Sequence, residues 1–246
     1  MFPIRNTVAT RHVPIVTWVL IALNCAVFLF EVKLSPRELD LFLLRFALIP
    51  ARYFQVGLFG DIASGPADYL PFFTNMFLHG GWLHLILNMW TLWLFGPAVE
   101  DRLGPGRYLG LYVACGIVAS VTHAVFNPTS TEPALGASGA IAGILGAYVR
   151  MFPLARVVVL VPIVFIPLFF DVPAVVFIGL WFATQLLQGT TALLMPAAGG
   201  AIAWWAHIGG FVAGLALATP LRRPPQRYRP YQADEGVLGF EPSGSR

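Results

Sequence analysis

The sequence predicts an all-α polytopic membrane protein with six transmembrane helices and both termini in the cytoplasm. Three observations carry that prediction. Hydrophobic residues make up 57% of the 246 residues and charged residues only 11%, where soluble domains carry roughly 25% charged residues. Six apolar segments can be separated, and six spans of about 20 residues each would take roughly half the chain. The basic residues fall mainly on one side of those segments. A mean hydropathy of +0.73 excludes a disordered chain, a disulfide-rich secreted scaffold and an ordinary soluble enzyme.

The elements follow in order. Residues 1–13 form a short cytoplasmic N-terminal segment, and a membrane domain occupies 14–220. Segment one runs from about Pro14 to Phe30. It is too long for a signal-peptide core and lacks a convincing cleavage site, so it is retained. A long external loop follows, about 33–80, in which Leu39–Ile49 has the pattern of an amphipathic helix on the outer leaflet or of a loop packed on the bundle. Segment two covers Gly81–Val99 and segment three Tyr108–Phe126. Segment four starts near Ser138 and meets Arg150 early. Segments five and six cover Val172–Leu194 and Ala201–Pro220. Residues 221–246 are rich in Pro, Arg, Gly and Ser and read as a disordered cytoplasmic tail.

The stretch Val157–Phe170 is ambiguous. It has 14 residues and contains Pro162 and Pro167, which suits an interfacial or partly inserted piece better than a span. The positive-inside rule arbitrates. With six spans, Arg5, Arg11, Arg102, Arg107, Arg150, Arg156 and the tail arginines Arg222, Arg223, Arg227, Arg229 and Arg246 all face the cytoplasm. The loops between segments three and four, and between five and six, hold no Lys or Arg. Lys33, Arg37, Arg45 and Arg52 remain in the long external loop. A seventh span would put the Arg-rich tail outside.

No basic run accompanies a nucleic-acid motif, so the net charge of +3 reports topology and not a DNA or RNA partner. Cys25 and Cys115 lie in apolar segments and read as buried thiols. There is no internal repeat and no pair of broken helices, which counts against a transporter.

Polar side chains inside spans are costly and point to function. Here they are His84, Asn88, His123, Ser138, His207, Gln185 and Gln188. No Asp or Glu lies inside a confident span. Helical rise puts His207 about 9 Å, Asn88 about 10 Å and His84 about 5 Å along their helices. Segment four is short by about 5 residues, so Ser138 starts roughly 7 Å below the outer surface. These four residues therefore share the outer half of the bilayer. His207, Gly210 and Gly214 make one small face of segment six, and Ser138, Ala142 and Gly146 a matching stripe on segment four. Small stripes let membrane helices pack closely, which predicts Ser138 beside His207.

Such a pair would be a nucleophile and its general base. Without an intramembrane carboxylate it would be a dyad. His84 and Asn88, at i and i+4, share a helix face and could bind an oxyanion together with the Ser138 backbone N–H. Other readings stay open on the residues alone. Membrane histidines often only pack, as His123 is expected to do, and Gln185 and Gln188 are expected to pair with neighbouring helices. A metal site from His79, His84 and His207 has no carboxylate or thiol placed to complete it.

At these residues the chain resembles the rhomboid family of intramembrane serine proteases. The strings are Gly136-Ala137-Ser138-Gly139, Ala206-His207-Ile208-Gly209-Gly210 and His79-Gly80-Gly81-Trp82-Leu83-His84-Leu85-Ile86-Leu87-Asn88, with Glu100-Asp101-Arg102-Leu103-Gly104 resembling the turn after that helix. The resemblance implies a rhomboid-like six-helix bundle that cleaves transmembrane segments of single-pass proteins in the lipid bilayer. Ser138 would be the nucleophile, His207 the base and then the acid, and His84, Asn88 and the Ser138 N–H the oxyanion hole. No cofactor or metal is expected.

The chain departs from the family in two places. Leu70-Pro71 stands where many members have Trp-Arg. Ala142 stands where some have a Tyr that packs on the histidine, so another residue must orient His207. Competing readings are an inactive relative that binds or escorts membrane proteins, and a transporter or channel. Retention of both Ser138 and His207 argues against the first. The short N-terminus without a transit sequence favours a bacterial cytoplasmic membrane.

Overall fold

The computed structural model describes residues 2–55, 65–163, 166–194 and 203–222. The middle of the predicted external loop, the approach to segment six from Ala201, and the tail with Arg223, Arg227, Arg229 and Arg246 lie outside the described residues. In chain order the elements are β1 (Phe2–Asn6), α1 (Ile15–Glu31), α2 (Pro36–Phe46), the one-turn helices α3 (Ala51–Phe54) and α4 (Pro71–Thr74), α5 (Trp82–Leu103), α6 (Pro105–Phe126), α7 (Ser138–Met151), β2 (Arg156–Ile163), β3 (Ile166–Pro173), α8 (Ala174–Leu194) and α9 (Trp204–Leu221).

The protein is mostly helical, and α1, α5, α6, α7, α8 and α9 occupy the six predicted segments. Among the described residues four helices are long and apolar enough to cross a membrane: Trp82–Leu103, Pro105–Phe126, Ala174–Ala192 and Trp204–Leu221. At 17 residues α1 is shorter, and α7 has only 14.

The all-helical expectation needs correction. Within Val157–Phe170 the described residues form strands and not a helical span, as the proline-containing run had suggested. The run supplies most of a β2–β3 hairpin, with Arg156 opposite Pro173 and Ile163 opposite Ile166. β1 adds antiparallel to β2, with Phe2 opposite Leu160. The residues explain it. Val157, Val158, Val159 and Val161 are β-branched and favour strands, while Pro162 and Pro167 bar a helix through the run. The N-terminal segment is thus a strand tied to α5, where Asn6 Nδ2 donates to the Leu94 carbonyl and Trp90 Nε1 to the Pro3 carbonyl.

α1 starts on a carboxylate. Glu100 accepts from Val16 N–H (2.9 Å), Thr17 N–H (2.8 Å) and the Thr17 hydroxyl (2.7 Å). Asp101 accepts from Arg11 N–H and His12 N–H. The Glu100 bonds satisfy first-turn donors of α1, and the Asp101 bonds hold the chain that leads into it. Gly104 then turns the chain at φ 79°, and Pro105 opens α6.

The amphipathic helix of the long first loop is α2, displaced a few residues from the predicted Leu39–Ile49. Ser35 and Glu38 form a capping box at its start, with Pro36 in the first turn. Beyond α2, Leu48 and Ala134 exchange backbone hydrogen bonds, and Gly136 N–H donates to the Asn75 carbonyl. The long first loop is thereby pinned to the segment that leads into Ser138.

The centre of the bundle is α6, α7 and α9. A Cβ on Gly214 would overlap the Gly143 carbonyl, one on Gly210 the Gly139 carbonyl, and one on Gly146 the Phe211 carbonyl. The predicted Gly210–Gly214 face and Gly146 lie in this seam, while on α7 Gly139 and Gly143 take the place expected for Ser138 and Ala142. Gly209 leaves room for Thr122 of α6. These seams bring backbone against backbone, as small residues do between membrane helices.

Candidate active site

Ser138 is the first residue of α7 and His207 lies in the first turn of α9. The glycine seam between those helices sets their separation. Ser138 Oγ and His207 Nε2 are 2.8 Å apart, a good hydrogen-bond distance. Both side chains are half-buried. As the opening residue of a helix, Ser138 has a backbone N–H without an intrahelical acceptor.

The other nitrogen of the ring is also held. His207 Nδ1 lies 2.7 Å from Gln185 Oε1 on α8. Trp181 and Trp204 flank the imidazole, with ring centroids 6.0 and 6.2 Å away. Gln185 thus touches the imidazole from α8. Its pairing with a neighbouring helix follows the expectation for that residue. Gln188, expected to do the same, is exposed.

His84 and Asn88 project from α5 toward Gly136, two residues before Ser138. A Cβ on Gly136 would lie 2.8 Å from His84 Nε2 and 3.7 Å from Asn88 Nδ2. Gly136 has φ 125°, a conformation that side-chain-bearing residues rarely adopt. Asn88 Nδ2 is buried with no hydrogen-bond partner among the described residues. The four predicted site residues therefore gather on two sides of one short segment, 136–138.

Two further groups border the site. His79 packs edge-on against His84, with centroids 5.2 Å apart. Burial, with the neighbouring His84 adding to it, pushes the His79 imidazole down to about 4, so it is neutral at neutral pH. Its backbone N–H donates to Glu31 at the end of α1 (3.2 Å). Behind Ser138 lies a cavity of about 20 Å³ lined by Asn75, Ser120, His123 and Gly136 among others, room for a single water. His123 accordingly borders the site, and it also pairs with Asn127 one turn on. Cys25 and Cys115 are free thiols. Among the described residues no group of three or more His, Cys, Asp or Glu could hold a metal ion.

Fold and site together define a class: a polytopic helical membrane protein with a hydrogen-bonded serine–histidine pair inside its bundle. The Rhomboid domain family matches residues 66–224, which takes in α4 to α9. The chain belongs to the rhomboid family. It is 45% identical over 86 residues to Rhomboid protease GluP of Bacillus subtilis, covering 35% of this chain and 16% of that protein. It is 31% identical over 120 residues to Presenilin-associated rhomboid-like protein A, mitochondrial, of Danio rerio, covering 47% of this chain and 31% of that one. It is 29% identical over 165 residues to Rhomboid protein 1, mitochondrial, of Saccharomyces cerevisiae, covering 63% and 42%. The chain thus spans less than half the length of each of these relatives.

Proposed function

We propose that this protein is an intramembrane serine endopeptidase that cleaves transmembrane segments of single-pass membrane proteins. The 2.8 Å contact between Ser138 Oγ and His207 Nε2 carries the reading. Ser138 is the nucleophile. Its hydroxyl proton passes to His207 Nε2 as Oγ bonds to the scissile carbonyl carbon. The oxyanion is held by the Ser138 N–H, the open Asn88 amide and His84. The imidazolium then returns the proton to the leaving amine as the C–N bond breaks. Water, deprotonated by His207, attacks the acyl-enzyme and frees Ser138.

In this reading the six apolar helices all span the bilayer within a domain of about 14–220, with both termini in the cytoplasm and the site opening outward. The membrane is the cytoplasmic membrane of a bacterium, as the identity with a Bacillus subtilis relative supports. The scissile peptide must leave its helix before Ser138 can reach its carbonyl, so substrates have helix-destabilising, small residues near the cut. The pairing of a nucleophile with a base and an open donor favours an active enzyme over an escort protein, which needs none of the three.

The test is labelling of the detergent-solubilised protein by a fluorescent fluorophosphonate, beside Ser138→Ala and His207→Ala variants of equal folding. Labelling of the parent and neither variant is expected. A folded parent that neither labels nor cleaves a panel of transmembrane substrates would sink the proposal.

A further inference from the structure

We propose that Gln185 is a positioning residue that fixes the proton order of the Ser138–His207 pair, with Thr184 locking Gln185 in turn. The inference rests on the reading of Ser138 and His207 given above. It concerns which ring nitrogen holds the proton. Only a histidine whose Nε2 is bare can take the proton of Ser138, and the partner of the other nitrogen decides that.

The hydrogen bonds around Gln185 leave one consistent order. Thr184 Oγ donates to the Trp181 carbonyl at 2.6 Å, which uses its only proton. That oxygen can then only accept from Gln185, whose Nε2 lies 3.1 Å away. The Trp181 carbonyl, 3.4 Å from the same Nε2, is also an acceptor. The amide nitrogen therefore faces acceptors, and the amide oxygen faces His207. An amide oxygen only accepts, so His207 Nδ1 must carry a proton. In the neutral ring Nε2 is then bare and accepts from Ser138 Oγ at 2.8 Å. The chain of donors runs Ser138 to His207 to Gln185 to Thr184 to the Trp181 carbonyl. Without Gln185, either ring nitrogen could hold the proton, and the ring could turn between Trp181 and Trp204.

This role is distinct from packing. Gln185 is buried, and a methionine of the same length would fill its place. The orienting function needs the oxygen. Gln185→Met removes it, Gln185→Glu keeps an acceptor, and Thr184→Val removes only the lock.

The experiment has two readouts on the full chain in detergent. The first is the rate of fluorophosphonate labelling, with kcat and KM on a transmembrane substrate. Gln185→Met is expected to lower the labelling rate and kcat roughly 10–100-fold with KM little changed, the range seen when a metal-bound histidine loses the partner of its other ring nitrogen. Gln185→Glu should stay within a few-fold of the parent, and Thr184→Val should fall between. The second is the 15N spectrum of histidine-labelled protein, with His207 assigned by its loss in His207→Ala. The parent should show Nδ1 protonated and Nε2 bare, and Gln185→Met a mixture of tautomers. A folded Gln185→Met that labels at the parent rate, or a parent with Nδ1 bare, overturns the proposal. A parent whose labelling survives Ser138→Ala would defeat the protease reading instead, and the spectrum would still decide the role of Gln185.

Discussion

The two sides of α9 are built differently. Toward α7 it packs through Gly210 and Gly214, with main chain against main chain. Toward α8 it packs through side chains: Phe211 stacks on Phe182 at 4.2 Å, Trp181 lies against Phe211 and His207, and Gln185 bonds His207. The first side sets how far the histidine stands from the serine. The second sets how the ring is turned. Distance is fixed by the stiffest part of the molecule, and orientation by a replaceable side chain.

The largest expected effect breaks the stiff side. Gly214→Ala would drive a methyl into the Gly143 carbonyl, and backbone cannot swing away as a side-chain tip can. The cost should reach or pass the roughly 3 kcal/mol top of the usual overpacking range. Thermal unfolding in detergent should show a lower midpoint, and Ser138 labelling should be lost even in the fraction that folds. An unchanged midpoint would mean that α7 and α9 stand further apart than described.

Next comes Gly136→Ala. The new methyl meets His84 Nε2 at 2.8 Å, and φ 125° adds backbone strain of order 1–3 kcal/mol. Because the residue lies outside α7, the bundle should survive. Activity should fall roughly 10²–10³-fold, as when an oxyanion donor is displaced. Near-parent cleavage by a folded Gly136→Ala protein would show that His84 does not serve the reaction from this position.

Much of this was legible in the sequence, for a physical reason. A bilayer penalises every polar group it swallows, so Ser138, His207, His84 and Asn88 stood out against apolar runs, and Gly210, Gly214 and Gly146 announced close packing, though Gly139 and Gly143 were not singled out. What stayed hidden needed long-range pairing. The run Val157–Phe170 is apolar throughout, so periodicity could not separate strand from helix, and its partner β1 lies at the other end of the chain. Glu100 and Asp101 read as a turn motif, but their work is to hold the start of α1. Gln185 was visible as a costly polar residue. That its oxygen meets His207 depends on the rotation of α8 against α9.

On the side-chain face of α9 the effects should shrink. Phe182→Ala removes the 4.2 Å stack on Phe211. An aromatic pair is worth about 0.5–1.5 kcal/mol beyond its buried area, and lipid tails can fill part of the gap. The unfolding midpoint should drop modestly, and labelling of Ser138 should persist at low temperature, because Gln185 one turn away still holds the ring. A loss as complete as that of Gly214→Ala would show that α8 fixes distance as well as orientation.

The smallest effect comes from the same glycine-to-alanine change on the soft side. A Cβ on Gly189 of α8 would lie 3.2 Å from Ile208 Cδ1 and 3.5 Å from Trp204 Cβ. The first neighbour is the tip of a flexible side chain, which can yield by a few tenths of an ångström. Against that small strain stands the helix preference for Ala over Gly, up to about 1 kcal/mol in water. The two terms nearly cancel, so Gly189→Ala should shift stability by less than about 1 kcal/mol and leave cleavage unchanged. Measured beside Gly214→Ala, it asks the same question of both faces of α9. Equal damage at both would erase the distinction between a backbone seam and a side-chain contact, since the chemical change is identical and only the neighbouring atom differs.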